Sequence, residues 1–130
     1  MFIDANIFLE IALKDNNYQK CIGFFKDSIN SNYKLYTSDF IVYSCLIVLE
    51  NKLNSYQDMK NFLIFINSLD ISIISPNIKT IYDSVEIMKK EKLDFDDALV
   101  VSCMNEKNIK KLVSYDKHFD KIKHIEIIKP

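Results

Sequence analysis

Glycine and arginine are nearly missing from this chain of 130 residues, which has one glycine, no arginine and no tryptophan. A single glycine excludes the glycine-rich loops that bind nucleotide phosphates, because those loops need several glycines at fixed spacing. Without arginine, only lysine remains to contact phosphate groups, and lysine lacks the bidentate hydrogen bonding of a guanidinium. Any phosphate ligand would therefore be bound by the point charges of lysine ammonium groups.

Excess charge of either sign is also missing. The 17 lysines nearly balance 18 acidic residues, and the formal net charge is -1. This balance removes the strong argument for nucleic-acid binding that a high isoelectric point would give. It does not exclude such binding, because several carboxylates could be neutralised by a metal ion while lysines elsewhere stay free.

The three cysteines, Cys21, Cys45 and Cys103, are odd in number and have no C-x-x-C spacing. This usage is typical of buried, reduced thiols in a cytoplasmic protein. Acidic residues at positions 4 and 10 interrupt the N-terminus, so no signal peptide is predicted. The longest apolar run, 41–49, is too short to span a bilayer. We therefore expect a cytoplasmic protein that does not enter a membrane.

Short apolar segments alternate with segments of helical periodicity along the whole chain. Strands are predicted at 1–4, 34–37, 71–74, 111–115 and 125–128. This alternation predicts an α/β protein with three layers, α/β/α, around a central, mainly parallel sheet of four to five strands. The length and the 48% hydrophobic content predict a single domain over 1–130.

Helices are predicted between these strands from the period of the apolar residues and from capping residues. They cover 6–13, a segment from 16 or 17, a long segment capped by Ser38 that runs through 54, a segment from 55, a segment from Pro76 to about 90, and a segment opened by Asp94 that ends near 106. In two of them the predicted buried residues are Cys21, Ile22, Phe24, Phe25 and Ile29, and Phe62, Leu63, Phe65 and Ile66.

Three aspartates fall where a parallel sheet binds ligands. Asp4 ends the first predicted strand, Asp116 follows the fourth, and Asp97 lies in the first turn of a late helix. Ligands of such sheets bind outside the carboxyl ends of the strands. Three carboxylates close together would raise one another's pKa unless a cation compensated them, and oxygen ligands favour a hard cation such as Mg²⁺ or Mn²⁺. The pattern predicts a metal site.

Each acid alone also has a structural explanation. Asp4 could cap the following helix, and Asp94 and Asp97 have the spacing of a capping box. Asp116 could start the turn that follows the fourth strand. Only the combination of the three acids favours the metal site.

Three segments together resemble a known family: MFIDANIFL, TSDFIVYSCLIVLE and LDFDDALVVSCMNEKNIKKLVSYDKHFD. They resemble the PIN-domain ribonucleases, in particular the VapC-like toxins of prokaryotic toxin-antitoxin pairs. The resemblance implies that Asp4, Asp97 and Asp116 are catalytic and bind Mg²⁺ or Mn²⁺, and that Asn6 supports the first of them. It also implies hydrolysis of single-stranded or loop RNA, an antitoxin partner and a homodimer.

One position departs from the family pattern, because the glutamate of the long helix aligns at or near Ser44. At about 100° per residue, neither Glu50 nor Asp39 shares the helix face of Ser44. Asp94 lies one turn before Asp97 on the same face of the late helix, and it is an additional candidate ligand. Ser44 would then hold a water molecule bound to the metal.

The departure leaves two functions open, an active ribonuclease and a weakened or inactive PIN-like module that binds RNA or protein. A phospho-acceptor signalling domain has a similar length and architecture. It needs an aspartate at the end of the third strand, where this chain reads ISIISPN. That third function is therefore disfavoured.

The remaining candidates are assigned by their neighbours in the sequence. Lys117 directly follows the last acid and is expected near a substrate phosphate. His118 and His124 lack partners at metal-site spacing, so we expect a turn residue and a strand-edge residue. Phe40 and Tyr43 are expected in the core.

Overall fold

A five-stranded sheet forms the centre of the protein in the computed structural model, which describes residues 1–130. The strands are β1 (Phe2–Ile3), β2 (Leu35–Ser38), β3 (Ile71–Ile74), β4 (Lys111–Val113) and β5 (Glu126–Ile128). Their order is β3-β2-β1-β4-β5, and every neighbouring pair is parallel. The predicted α/β fold class is confirmed, with all five strands present.

Six α-helices and one 3₁₀ turn connect the strands. The helices are α1 (Ala5–Ala12), α2 (Tyr18–Asn30), α3 (Asp39–Leu53), α4 (Tyr56–Ser68), α5 (Ile78–Glu91) and α6 (Phe95–Glu106), and the 3₁₀ turn covers Lys117–Lys121. Helix α1 packs against α2 and α3, α3 packs against α4, and α5 packs against α6. None of these helices has the length and apolar character that crossing a membrane requires.

Capping residues define the helix ends much as the sequence predicts. The Ser38 side chain accepts a hydrogen bond from the Ile41 N–H and caps α3, which ends at Asn54 in the left-handed conformation. Helix α5 starts later than predicted, because Asn77 is its N-cap and accepts from the Thr80 N–H. Pro76 therefore precedes the cap and does not lie in the first turn.

Three residues predicted in the core are exposed instead. Ile29 is 57% exposed because the buried face of α2 follows Cys21, Phe25 and Ser28, which places Ile29 about 70° from the centre of that face. In the same way, Leu63 is 43% exposed beside the buried Phe62. Tyr43 in α3 is 60% exposed, so its assignment to the core is wrong.

The register of the two central strands determines where the site lies. Ile3 of β1 pairs with Val113 of β4, so the next residues, Asp4 and Ser114, meet at the carboxyl end of the sheet. The Asp4 N–H donates to the Val113 carbonyl at 3.1 Å. Chain order reverses between β1 and β4, and at such a switch point a crevice forms that can bind a ligand.

Candidate metal centre

A cavity of about 240 Å³ opens at the carboxyl ends of β1 and β4. It is lined by side chains from the start of α1, from α3, from α6 and from the segment after β4: Asp4, Ala5, Asn6, Leu9, Phe40, Ile41, Ser44, Asp96, Asp97, Val100 and Asp116. The fold thus brings the three aspartates singled out in the sequence, Asp4, Asp97 and Asp116, to one cavity. Asp4 is more than ninety residues away from the other two in the sequence.

Asp4 is buried and held by three hydrogen bonds. Its Oδ1 accepts from the Ala5 N–H at 2.7 Å, which also caps α1. Its Oδ2 accepts from the Asn6 Nδ2 at 2.6 Å and from the Ser114 Oγ at 2.7 Å. These bonds fix the orientation of the carboxylate. Asn6, which the resemblance expects to support Asp4, donates one of them.

Ser114 links the first and last acids and was missed by the sequence reasoning. Its buried hydroxyl donates to Asp4 and accepts from the Asp116 N–H at 2.9 Å and from the Asn6 Nδ2 at 3.0 Å. The Asn6 Oδ1 in turn accepts from the Tyr115 N–H at 3.1 Å. The only sequence signal for Ser114 was its place between a buried strand and Asp116.

We predict that Ser114→Ala destabilises the protein by about 1–3 kcal/mol, because it removes one of the three hydrogen bonds to the buried Asp4 carboxylate and leaves the Asp116 N–H without its partner. Urea unfolding measures the loss. Ser68→Ala is the control, because Ser68 is exposed and its hydroxyl bonds only the Phe65 carbonyl within its own helix. Equal losses in the two variants would show that the Ser114 network contributes no special stability.

The His118 side chain contacts both Asp97 and Asp116. The His118 Nδ1 lies 3.2 Å from the Asp97 Oδ2 and 3.4 Å from the Asp116 Oδ1. Asp116 also accepts a hydrogen bond from the His118 N–H at 2.8 Å and thereby caps the 3₁₀ turn. His118 is in a turn, as predicted, but its ring also contacts two of the three acids.

Two further aspartates surround Asp97. Asp94 is the N-cap of α6 and accepts from the Asp97 N–H at 3.2 Å. Ligand atoms of Asp94, Asp97 and His118 all lie within 4.8 Å of one another. Asp96, which precedes Asp97 in the first turn of α6, also lines the cavity.

The aspartates therefore also have the structural roles that the sequence allowed. Asp4, Asp94 and Asp116 each cap a helix or a turn through one oxygen. A carboxylate has two oxygens and about four lone-pair directions, so capping leaves acceptor capacity for a cation. Capping and metal binding do not exclude each other here.

Helix α3 contributes Ser44 to the cavity lining, and the next residue, Cys45, is fully buried. Ser44 lines the cavity and is half-buried, in the place where the resemblance expects a glutamate. Next to it, burial raises the pKa of the Cys45 thiol to about 12, with a further contribution from the charge of Asp4. The Cys45 Sγ lies 3.7 Å from the Ala5 carbonyl oxygen. Cys45 thus remains a protonated thiol and not a nucleophile.

The electrostatics of the cavity indicate uncompensated negative charge. Burial, together with the charges of Asp94, Asp116 and Asp4, raises the pKa of Asp97 to about 6, although the His118 hydrogen bond opposes this shift. Burial also raises the pKa of Asp4, although its hydrogen bonds from Ser114, Ala5 and Asn6 oppose that effect. Both carboxyls are thus harder to ionise than in water.

No lysine compensates this charge. All five lysine salt bridges lie elsewhere, and the only basic side chain in contact with the three acids is His118. Lys117 is exposed and unpaired beside Asp116. A set of carboxylate oxygens without a cationic partner fits a hard divalent cation such as Mg²⁺ or Mn²⁺.

Comparison with known proteins agrees with this architecture. A family model described as PIN domain matches residues 1–125. No curated protein matches the chain in sequence.

Several solved structures have a similar fold at low sequence identity. The chain is 15% identical to the Mycobacterium tuberculosis toxin VapC20, described as cleaving the sarcin-ricin loop, with a TM-score of 0.80 over 99% of this chain and 98% of the other. It is 16% identical to a chain of VapBC2 from Rickettsia felis bound to a promoter DNA fragment, with a TM-score of 0.74 and coverage of 99% and 97%. It is 14% identical to a chain of a toxin-antitoxin complex from Klebsiella pneumoniae, with a TM-score of 0.72 over 96% of this chain and 94% of the other.

These identities establish a shared fold, whereas the family model extends over nearly the whole sequence. The segments that carried the resemblance, from the strand before Asp4 to the turn after Asp116, all lie within the matched residues. The chain belongs to the PIN domain family.

Proposed function

We propose that this protein is an endoribonuclease that depends on Mg²⁺ or Mn²⁺ and hydrolyses phosphodiester bonds of RNA. The observation that carries the proposal is the meeting of Asp4, Asp97 and Asp116 at one cavity without a lysine to compensate them. The family and its shared fold with a toxin described as cleaving the sarcin-ricin loop support the same reaction class.

In this proposal, Asp4, Asp97 and Asp116 hold the cation, with Asp94 as an additional ligand. When bound, a divalent cation activates water for attack on phosphorus and neutralises the charge that builds up on the phosphate oxygens. Asn6 and Ser114 keep the Asp4 carboxylate oriented through their hydrogen bonds to its Oδ2. Ser44 has a hydroxyl at the cavity that can orient a water molecule.

Substrate binding would depend on lysine contacts to phosphate. Lys117 is the candidate, because it is exposed, free of salt bridges and adjacent to Asp116. Contacts of this kind weaken as salt concentration rises and carry no sequence information. Specificity would then come from unpaired bases or the shape of an RNA loop.

The biological role that we propose is that of a cytoplasmic toxin, inhibited by an antitoxin protein. Similarity to chains of toxin-antitoxin complexes supports this role, and the three cysteines are free thiols, as in a reducing compartment. A homodimer is the proposed assembly. Exposed apolar side chains on α3, Tyr43 and Ile47, give a surface that such an assembly could cover.

The test of the activity uses purified protein and an end-labelled RNA that has an unpaired loop. We expect cleavage with Mn²⁺ or Mg²⁺, no cleavage after chelation with EDTA, and recovery when the ion is added back. Cleavage should also slow between about 50 and 200 mM salt, by about threefold for each phosphate that a lysine contacts. Asp116→Asn, purified in parallel, controls for a contaminating nuclease, and cutting that survives in this variant would refute the assignment.

Ser44 favours a second candidate, a PIN module that binds RNA or protein without cutting. A neutral hydroxyl at this wall of the cavity removes one carboxylate from the set that the resemblance implies. Calorimetry with Mn²⁺ separates the two functions. Binding in the micromolar range supports the nuclease, and no binding at millimolar Mn²⁺ supports the module that does not cut.

A further inference from the structure

His118 contacts two acids of the cavity but has no role in the resemblance that identified those acids. The 3₁₀ turn after Asp116 directs its imidazole back towards α6, where the Nδ1 meets the Asp97 Oδ2 at 3.2 Å. The same nitrogen lies 3.4 Å from the Asp116 Oδ1. One imidazole nitrogen is thus next to oxygens from two different elements of the proposed metal centre.

The spacing of these atoms matches neighbouring ligands of one ion. In an octahedral site with ligands at about 2.1 Å, adjacent ligand atoms are about 3.0 Å apart and opposite ones about 4.2 Å apart. The separations of 3.2 Å and 3.4 Å are close to the first value. Ligand atoms of Asp94, Asp97 and His118 that all lie within 4.8 Å of one another extend the same cluster.

A neutral imidazole can donate a lone pair, which makes it the commonest nitrogen ligand in proteins. The carboxylate expected from α3 is replaced by Ser44, so the oxygen set has room for another donor. His118 approaches Asp97 and Asp116 from the turn after β4. Its nitrogen would add a donor to a set that lacks a carboxylate from α3.

We propose that the His118 Nδ1 is a direct ligand of the divalent ion, together with Asp97 and Asp116, so that the centre has a mixed nitrogen and oxygen donor set. This inference rests on the proposed function, since it concerns the same ion. Imidazole favours transition metals over Mg²⁺, whereas carboxylates alone accept both. The centre should therefore prefer Mn²⁺ over Mg²⁺.

Electron spin-echo envelope modulation on the full chain loaded with Mn²⁺ tests the ligand directly, because it detects ¹⁴N nuclei bound to the ion. The chain has two histidines, His118 and His124, so an imidazole signal can come only from one of them. His118→Gln is the test variant, and His124→Gln is the matched control. His124 contacts the Asn105 side chain and none of the acids of the cavity.

We expect the ¹⁴N signal in the wild-type protein and in His124→Gln, and its loss in His118→Gln. Calorimetry should show about tenfold weaker Mn²⁺ binding in His118→Gln and little change for Mg²⁺. The His118 side chain is 66% exposed, so the substitution removes no core packing and the variant should fold.

Other outcomes overturn the inference in distinguishable ways. Bound Mn²⁺ without a ¹⁴N signal, or a signal that persists in His118→Gln, would show that His118 only donates a hydrogen bond to Asp97, and the proposed nuclease would stand. No Mn²⁺ binding by the wild-type protein would overturn both proposals.

Discussion

Asp97→Asn is expected to reduce RNA cleavage at least about 100-fold, because it removes a charged ligand whose ion would supply several kcal/mol of transition-state stabilisation. The amide keeps the size of the side chain, so the cavity should keep its shape. Initial rates on the labelled RNA with saturating Mn²⁺ measure the effect. A variant that cuts at the wild-type rate would show that Asp97 is not a ligand.

The same substitution should stabilise the metal-free protein near pH 7. Burial and the neighbouring acids raise the pKa of Asp97 to about 6 in the folded state, above the usual value of 3.8 that we assign to the unfolded chain. The folded state then holds the proton more tightly, and this stabilising contribution is lost as pH rises from about 4 through about 6. Above that range, ionised Asp97 opposes folding.

Because Asp97 is partly accessible to solvent, the expected gain from Asp97→Asn is only about 1 kcal/mol at pH 7. Thermal unfolding in EDTA at pH 4, 5, 6 and 7 measures it, and the gain should shrink towards pH 4. With Mn²⁺ the order should reverse, since the ion stabilises only the protein that binds it. Loss of stability in EDTA at pH 7 would contradict this electrostatic account.

Asp70→Asn is the matched control for both measurements. Asp70 is exposed between α4 and β3, where its side chain forms no hydrogen bond or salt bridge. The substitution removes the same charge through the same chemical change, but Asp70 does not line the cavity. Cleavage and the pH dependence of stability should both remain at wild-type values.

Ser44→Glu is expected to bind Mn²⁺ about tenfold more tightly and to cut RNA faster, because it adds a carboxylate to the cavity where the resemblance expects one. Ser44 lines the cavity together with Asp4 and Asp97 and is half-buried, so a longer side chain has an open direction in which to extend. In EDTA the added charge should destabilise the protein, since it joins carboxylates that already repel one another. Calorimetry and cleavage rates on one preparation measure both effects.

Asn51→Glu controls for added negative charge on the same helix. Asn51 is exposed two turns after Ser44 and does not line the cavity. It should leave Mn²⁺ affinity and cleavage unchanged. If Ser44→Glu binds Mn²⁺ no better than Asn51→Glu, the α3 side of the cavity does not face the ion, and Ser44 has no influence on activity.

Local chemistry in the sequence was sufficient for the fold class and most helix and strand positions. Alternating apolar segments predicted the parallel sheet, and Ser38 and Asp94 marked two helix starts through ordinary capping. The errors at Ile29, Leu63 and Tyr43 arose because periodicity indicates that a helix has a buried face but not where that face ends.

For the site, the sequence by itself determined which acids could act, because Asp4, Asp97 and Asp116 stand at strand ends and a helix start whatever their neighbours are. The tertiary structure alone decided which groups join them. The pairing of Ile3 with Val113 brings Ser114 onto Asp4, and the turn after β4 brings the His118 ring onto Asp97. Such contacts depend on strand register and on the direction of a turn, which no short stretch of sequence encodes.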